Sequence, residues 1–335
     1  MMGSRGMSKS VLVTGGAGYI GSHVLLQLQA RGEQVVVIDN LYTGFRQAVR
    51  QAPLIVGDIG DRALVSQVLR EHDVDTVMHF AANTIVPESV REPLKYYGNN
   101  TCSTRSLIDA CMQQGVRQMV FSSTAAVYGI PDGGIAREDM APNAINPYGT
   151  SKLMSEWILR DVAAVTDFRY IALRYFNVAG SDPQQRIGQS TAKATLLIKV
   201  ACEAIVGKRS HVSIFGTDYD TPDGTGIRDY IHIEDLARAH VDALDHLRRG
   251  GDSAVFNVGY SHGYSVREVL AGVQRVARQA LTIREEPRRA GDPPVLVAEA
   301  QKIRSQLGWV PRLDDLDAII DSSLRWERKL QREPW

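Results

Sequence analysis

The run Ser10-Val11-Leu12-Val13-Thr14 reads as a short buried strand, and it leads directly into Gly15-Gly16-Ala17-Gly18-Tyr19-Ile20-Gly21. The junction admits few folds, because Gly15, Gly18 and Gly21 recur at a spacing of three. In that order they allow a tight turn, a close approach of backbone to a pyrophosphate, and close packing of a helix on the strand before it. A helix expected from about Ile20 to Ala30 aims its first amides, from Tyr19 onward, at the phosphates. The second strand, Gln34 to Ile38, ends in Asp39 and Asn40, where a carboxylate meets the ribose hydroxyls of an adenosine. That carboxylate repels a 2′-phosphate, so the expected cofactor is NAD rather than NADP.

Further strands follow at Pro53 to Val56, Thr76 to Phe80, Gln118 to Ser122 and Tyr170 to Arg174. Between them, helical periodicity covers Asp61 to Glu71, Pro93 to Gln114 and Pro147 to Val165. The alternation predicts an α/β protein built on a Rossmann-type doubly wound parallel sheet. At 335 residues the chain also has length for a smaller α+β substrate-binding domain. Polar loops are expected at Gly180 to Gln189 and Asp218 to Thr225. A helix at Glu234 to Leu247 and a strand at Ala254 to Val258 are expected to return to the large sheet, and a last helix to span about Leu313 to Lys329. The expected division is therefore 8–178 with 229–258 for the dinucleotide, and 179–228 with 259–335 for the substrate.

Ligands of such a sheet gather at the carboxyl ends of its strands. Those ends hold Asp39, Asp58-Ile59, Phe80-Ala81-Ala82, Ser122-Ser123-Thr124 and Tyr175-Phe176-Asn177. Asp58 suits either a hydrogen bond to an adenine amino group or an N-terminal helix cap. Thr124 offers a hydroxyl that can bond a substrate oxygen or relay a proton.

Tyr148 and Lys152 stand four apart on the predicted helix, so their side chains share a face. A free phenol titrates near ~10, leaving about one tyrosine in a thousand ionised at neutrality, and lowering its pKa by three units requires ~4 kcal/mol. The lysine ammonium and an oxidised nicotinamide are two cations able to supply it, which would make the phenol a usable base.

The 38 basic and 38 acidic residues cancel, so the net charge gives no footprint for nucleic acid or an anionic membrane, although Arg288-Arg289 remains a local anion-binding candidate. No apolar run approaches the ~20 residues of a membrane span. The polar stretch Met1 to Ser8 lacks the core of a signal peptide and reads as an expression scar or a frayed end. Cys102, Cys111 and Cys202 are too scattered for a disulfide framework or a thiolate zinc site, and a cytoplasmic location is expected. No metal site is expected: His79 reads as a strand-end residue, and His232 and His240 as solvated or capping groups near a helix start.

With Thr124, Tyr148 and Lys152 in place, the chain resembles the extended short-chain dehydrogenases/reductases, and among them the UDP-glucose 4-epimerase family. The resemblance is carried by Thr14 to Gly21, Ser122 to Gly129, Asn146 to Lys152, Arg174 to Asn177 and Gly224 to His232. It implies Thr124 in the Ser/Thr place, Tyr148 as base, and Lys152 as the residue that holds the nicotinamide ribose and depresses the phenol's pKa. Asn99 matches a cofactor-contacting asparagine. Asn177, Leu196, Phe215, Arg228, Tyr230, Val266, Arg289, Asp292 and Leu296 match positions around the uridine diphosphate and its sugar, with core packing a rival reading for Phe215 and Val266. The implied activity is C4 epimerisation of UDP-glucose and UDP-galactose through a transient 4-keto sugar, in a homodimer for which helices 93–114 and 147–165 are the candidates, with core packing an equal reading of their apolar faces.

Other readings are a sugar-nucleotide 4,6-dehydratase, which usually places an acidic pair after the Ser/Thr where this chain has Ala125-Ala126, and a non-catalytic NAD-binding regulator. Departures from the family pattern concern the substrate and one cofactor contact. Thr84 stands near a usual phosphate-reaching lysine, Thr195-Leu196 replaces a usual Asn-Leu, and Leu296 is intermediate between a wall residue that blocks an N-acetyl group and one that admits it. N-acetylated, pentose and uronic substrates stay open.

Overall fold

The structure is a computed structural model that describes residues 9–192, 194–289 and 291–335. The reading of Met1 to Ser8 lies outside those residues. From one edge to the other, the main sheet runs Ala254–Val258, Arg169–Tyr175, Gln118–Ser122, Val74–His79, Ser10–Thr14, Gln34–Asp39 and Leu54–Val56, all parallel. The pleat explains why the central strands are apolar throughout rather than alternating. Val11 and Val13 enter one core and Leu12 the other; likewise Val35 and Val37 oppose Val36 and Ile38, and Ile171 and Leu173 oppose Tyr170 and Ala172. Helices Tyr19–Ala30 and Ile233–Arg248 pack together on one side, while Arg62–Glu71 and Ser103–Gln114 pack together elsewhere on the sheet.

Three smaller sheets extend from this frame. One orders Tyr264–Ser265, Ile227–Arg228, Val295–Ala298 and Ile135–Ala136; the other two pair Asn177–Ala179 with Tyr230–His232, and Val212–Phe215 with Ile283–Glu286. Buried Asp229 ties two of them together: its carboxylate accepts from the amides of Tyr260 at 2.9 Å, Ser261 at 3.0 Å and Ala298 at 3.3 Å.

Several expectations change. The helix expected over 93–114 is interrupted by a π turn at Tyr97–Cys102, which shifts Asn99 and Asn100 relative to a regular helix. The last helix begins at Leu316, where the Asp315 side chain accepts the Ala318 amide, rather than near Leu313. The cap of the third helix is Asp61, not Asp58. His232 does cap a helix, accepting the Glu234 amide at 3.1 Å, but it is buried, and His240 is a buried mid-helix residue rather than a solvated one.

Burial holds four histidines neutral, lowering His23, His232 and His240 to about 4 and His79 to about 3. Between those values and the ~6.5 of an unfolded histidine, the unfolded chain binds more protons than the folded one. The stability they confer is present above pH ~6.5 and is lost as pH falls toward 4. At upper bounds of roughly 3.5 kcal/mol for each of the three at about 4 and roughly 5 kcal/mol for His79, the four together rival the stability of a whole domain. Asp229, raised by burial to about 6, opposes this trend over the same window, as do the raised carboxyls of Asp39, Glu234 and Asp242. The melting temperature is therefore expected to fall below pH ~6 only by the excess of the histidines over them; a melting temperature that rises from pH ~6.5 to ~4.5 in differential scanning calorimetry contradicts this account.

Candidate active site

A cleft opens at the carboxyl end of the sheet, lined among others by Gly15, Gly18, Asp39, Asn40, Asp58, Ile59, Phe80, Ala81, Ala82 and Asn99. Gly15 has φ of +70°, and a Cβ there would sit 2.5 Å from the Ala81 nitrogen; a Cβ on Gly21 would sit 2.4 Å from the Gly15 oxygen. At Gly18 an added Cβ would meet a single atom within 4 Å, the Gly15 oxygen at 3.2 Å, a tight approach within the loop itself. No side chain caps the helix that begins at Tyr19, and its first turn carries no acid, which leaves its dipole and leading amides for an anion. These features fit a dinucleotide's pyrophosphate. The Tyr19 hydroxyl itself donates to the Gly180 carbonyl at 2.7 Å, so only the backbone of Tyr19, Ile20 and Gly21 is oriented for that task.

Asp39 has a second duty that its spacing did not disclose. Its carboxylate accepts from the Ala17 amide at 2.9 Å and the Leu41 amide at 2.8 Å, bracing the glycine loop from the end of the next strand. Burial raises its carboxyl, and these two amides oppose the shift. Gly15→Ala is expected to destabilise the protein by about 2 kcal/mol or more, through a disfavoured φ and collision with the cleft wall. It should also weaken NAD binding severalfold, read by thermal denaturation and cofactor titration; wild-type values in both would remove the steric argument.

Tyr148 lies on the helix Pro147–Val165, whose N-terminus is capped by the Asn146 side chain accepting the Gly149 amide at 2.9 Å. Gly149 lets this helix press onto the turn after the fifth strand, since a Cβ there would lie 2.5 Å from the Ala126 oxygen. The contact brings Tyr148 to Thr124. The phenol is buried edge-on to Tyr96 with 6.4 Å between ring centroids. Lys152, also buried, donates to the Ser122 carbonyl at 2.9 Å and lies 4.8 Å from the centre of the Phe121 ring. Tyr175 shares a 2.7 Å hydrogen bond with the Ser122 hydroxyl. The Thr124 hydroxyl accepts the Ala126 amide at 3.1 Å.

The expected depression of the phenol by Lys152 is absent from the protein's own electrostatics. Burial raises Tyr148 above its ordinary value, opposed by a hydrogen bond to Thr124, and burial lowers Lys152 to about 7, opposed by Glu156. Desolvation penalises both charged forms, and the lysine's reach is directed to a carbonyl rather than to the phenol. Among the described residues, no group of three or more His, Cys, Asp or Glu side chains is arranged to hold a metal.

The residues matched to the uridine diphosphate fall into a second group. Arg228 pairs in register with Leu296, Asn177 with Tyr230, and the Val266 amide donates to the Gly226 carbonyl at 3.1 Å. The Arg289 guanidinium stacks 3.8 Å from the centre of the Phe215 ring, which gives Phe215 a partner besides the core. Arg228 is half-buried, donates to the Ile227 carbonyl at 2.8 Å, and feels both Asp292 and Arg289. Leu196 stands apart, at the start of the helix Leu197–Ile205. Arg288, by contrast, is committed to Asp218 at 2.6 Å.

Some of this surround is not apparent from motif matching. Asn100, next to Asn99, accepts the Asn83 amide at 2.8 Å and donates to the Asn83 carbonyl and the Ser151 hydroxyl, each at 3.0 Å. Glu156 carries a buried pair with Arg174 and accepts the Ser123 hydroxyl. Its position four residues beyond Lys152 was the available signal.

Residues 11–259 match the NAD dependent epimerase/dehydratase family. A UDP-glucose 4-epimerase of Azospirillum brasilense is 56% identical over 326 residues, spanning 97% of this chain and 94% of that protein. The crystal structure of UDP-glucose 4-epimerase from Brucella ovis in complex with NAD superposes with a TM-score of 0.91 at 42% identity, over 95% of this chain and 98% of that one. That of Bifidobacterium longum UDP-glucose 4-epimerase with NAD+ and UDP gives a TM-score of 0.90 at 38% identity, over 96% and 98%. Seven parallel strands with a glycine-loop cleft, and relatives alike along nearly the whole length, establish that the chain belongs to the UDP-glucose 4-epimerase family of NAD dependent epimerases/dehydratases.

Proposed function

We propose that this protein is an NAD-dependent enzyme that interconverts UDP-glucose and UDP-galactose at C4 through a 4-keto intermediate, and so serves galactose metabolism. The observation that carries the proposal is that Tyr148 bonds Thr124 while Lys152, one turn further along the same helix, holds the Ser122 carbonyl, on a sheet whose carboxyl end also carries the glycine-loop cleft, with methyl side chains following Thr124. Segments 8–178 and 229–258 hold the cofactor in this reading, and 179–228 with 259–335 hold the UDP-sugar.

The cleft residues would hold NAD, which would supply reversible hydride acceptance at C4 of the sugar. Tyr148 accepts the C4 hydroxyl proton and gives one back after the sugar has turned, while Thr124 bonds the same oxygen. Lys152 holds the nicotinamide ribose and adds positive charge near the phenol. Arg228 and Arg289 grip the diphosphate, leaving the sugar room to rotate. Ala125 and Ala126 supply no acid for elimination of water, which separates this site from that of a dehydratase. Incubation of the purified protein with UDP-galactose tests the reading: UDP-glucose of unchanged mass is expected, a product lighter by one water indicates dehydration, and no turnover supports the regulator.

Leu296, in register with Arg228, governs the alternatives: steady-state comparison of UDP-N-acetylglucosamine, pentose and uronic substrates orders them against UDP-glucose. No described helix is long and apolar enough to cross a membrane, and we place the protein in the cytoplasm. Leu94 at 82% and Trp157 at 45% exposure, with Val90 at 62% on the preceding helix Val86–Arg91, supply apolar surface for a homodimer through helices 93–114 and 147–165. A monomeric mass in sedimentation would reject that pairing.

A further inference from the structure

We propose that Glu156 is a positioning residue for the proton-transfer pair: it clamps the strand end that carries Thr124 and supplies the anion that keeps buried Lys152 charged. The inference rests on reading Tyr148 and Lys152 as the working pair. Lys152 and Glu156 are one helical turn apart on Pro147–Val165, and both side chains reach the same dipeptide at the end of Gln118–Ser122. Lys152 donates to the carbonyl of Ser122, and Glu156 accepts the hydroxyl of Ser123. Thr124 follows immediately. Two successive turns of the helix that bears Tyr148 thus fix the backbone that bears Thr124.

The charge arrangement supports the second half of the proposal. Glu156 is buried and paired with Arg174, through bonds of 3.0 Å from Nε and 2.5 Å from Nη2. Arg174 comes from the strand Arg169–Tyr175 and stacks 4.8 Å from the Tyr128 ring, and its Nη1 has no partner among the described residues. Glu156 is therefore paired directly with Arg174, and it acts on Lys152 through its field from one helical turn away. The other titratable groups around Lys152 are His79 on Val74–His79, whose pKa the lysine lowers, Tyr148 one turn back on the same helix, and Tyr175, which bonds the hydroxyl of the Ser122 that Lys152 holds. His79 is neutral, with both ring nitrogens bonded to the hydroxyls of Thr14 and Thr104 at 2.7 and 2.8 Å. None of these is an anion at neutral pH, which leaves Glu156 as the negative charge acting on Lys152.

A buried ammonium with only a carbonyl and an aromatic face loses its proton readily, and the field of a carboxylate one turn away opposes that loss. The test is lysine side-chain NMR on the NAD-loaded protein, with the Lys152 resonance assigned by its disappearance in Lys152→Met. In Glu156→Gln, which keeps a bond to Ser123 but loses the charge, Lys152 should titrate at least about one pH unit lower than in the unsubstituted protein. The alkaline limb of kcat should move with it. Glu156→Asp should restore most of that difference, and Ser123→Ala, which removes the hydrogen bond alone, should leave the titration within about 0.3 units. If Glu156→Gln does not fold, the double variant Glu156→Gln/Arg174→Met, which also removes the guanidinium that the first change strands, should still lower the Lys152 titration. An unchanged Lys152 titration in whichever variant folds overturns the proposal. Failure of the unsubstituted protein to epimerise would count against the functional reading alone, because the titration needs no substrate.

Discussion

Tyr148→Phe should lower kcat for UDP-galactose by about 10³-fold, within the range expected for removing a general acid–base group, while the protein folds and retains NAD. Phenylalanine keeps the buried ring and its edge-on contact with Tyr96, so the packing that positions the helix is unaltered. What is lost is one hydroxyl whose recognised partner is Thr124, a change of about 1 kcal/mol in stability against about 4 kcal/mol in the barrier. UDP affinity should stay within about threefold, because the residues proposed to hold the diphosphate are Arg228 and Arg289, not Tyr148. Steady-state kinetics, calorimetric melting and UDP titration on one preparation check all three. A kcat within about tenfold of the unsubstituted protein would place the base elsewhere.

That result bears on the electrostatic finding. The phenol is raised and Lys152 lowered by the same desolvation, so the protein alone does not make Tyr148 a strong base. The cation that favours the phenolate must then come from a protonated Lys152 together with an oxidised nicotinamide. In that arrangement the base is strengthened when cofactor in the correct redox state is in place.

The sheet was legible because its strands are short apolar runs with buried residues on both faces, such as Val35 to Ile38, and because Gly15, Gly18 and Gly21 leave little choice of junction. Tyr148 with Lys152 was legible from helical spacing. The π turn at Tyr97–Cys102 was not, since a single widened turn leaves the apolar periodicity of 93–114 nearly intact. Asp58 against Asp61 was ambiguous because both precede the same helix, and the choice depended on which carboxylate meets the amides of Ala63 and Leu64. The burial of His240 depended on tertiary contact with Phe80, at 4.9 Å between rings, and Tyr175, which lie far away in sequence. Local pattern contains no term for such contacts.

Arg228→Met should raise KM for the UDP-sugar about 100-fold, with kcat changed far less, while the ligand-free protein keeps or gains stability. The two effects have one cause. Burial pulls the Arg228 guanidinium below its ordinary pKa, and among the described residues it has carbonyl partners, Ile227 at 2.8 Å and Pro294 at 3.5 Å, but no carboxylate in ion-pair contact. A cation kept partly desolvated without a direct counter-ion costs folding energy, and a diphosphate would recover it on binding. Loss of about 3 kcal/mol of charge-assisted bonding corresponds to the stated change in KM. Arg288→Met is the control, because Arg288 is already paired with Asp218 and stacked 4.2 Å from the Tyr219 ring. It should change KM by less than about threefold. Were Arg288→Met to raise KM more than Arg228→Met, the diphosphate would belong to the exposed arginine, and the assignment of Arg228 as anchor would fail.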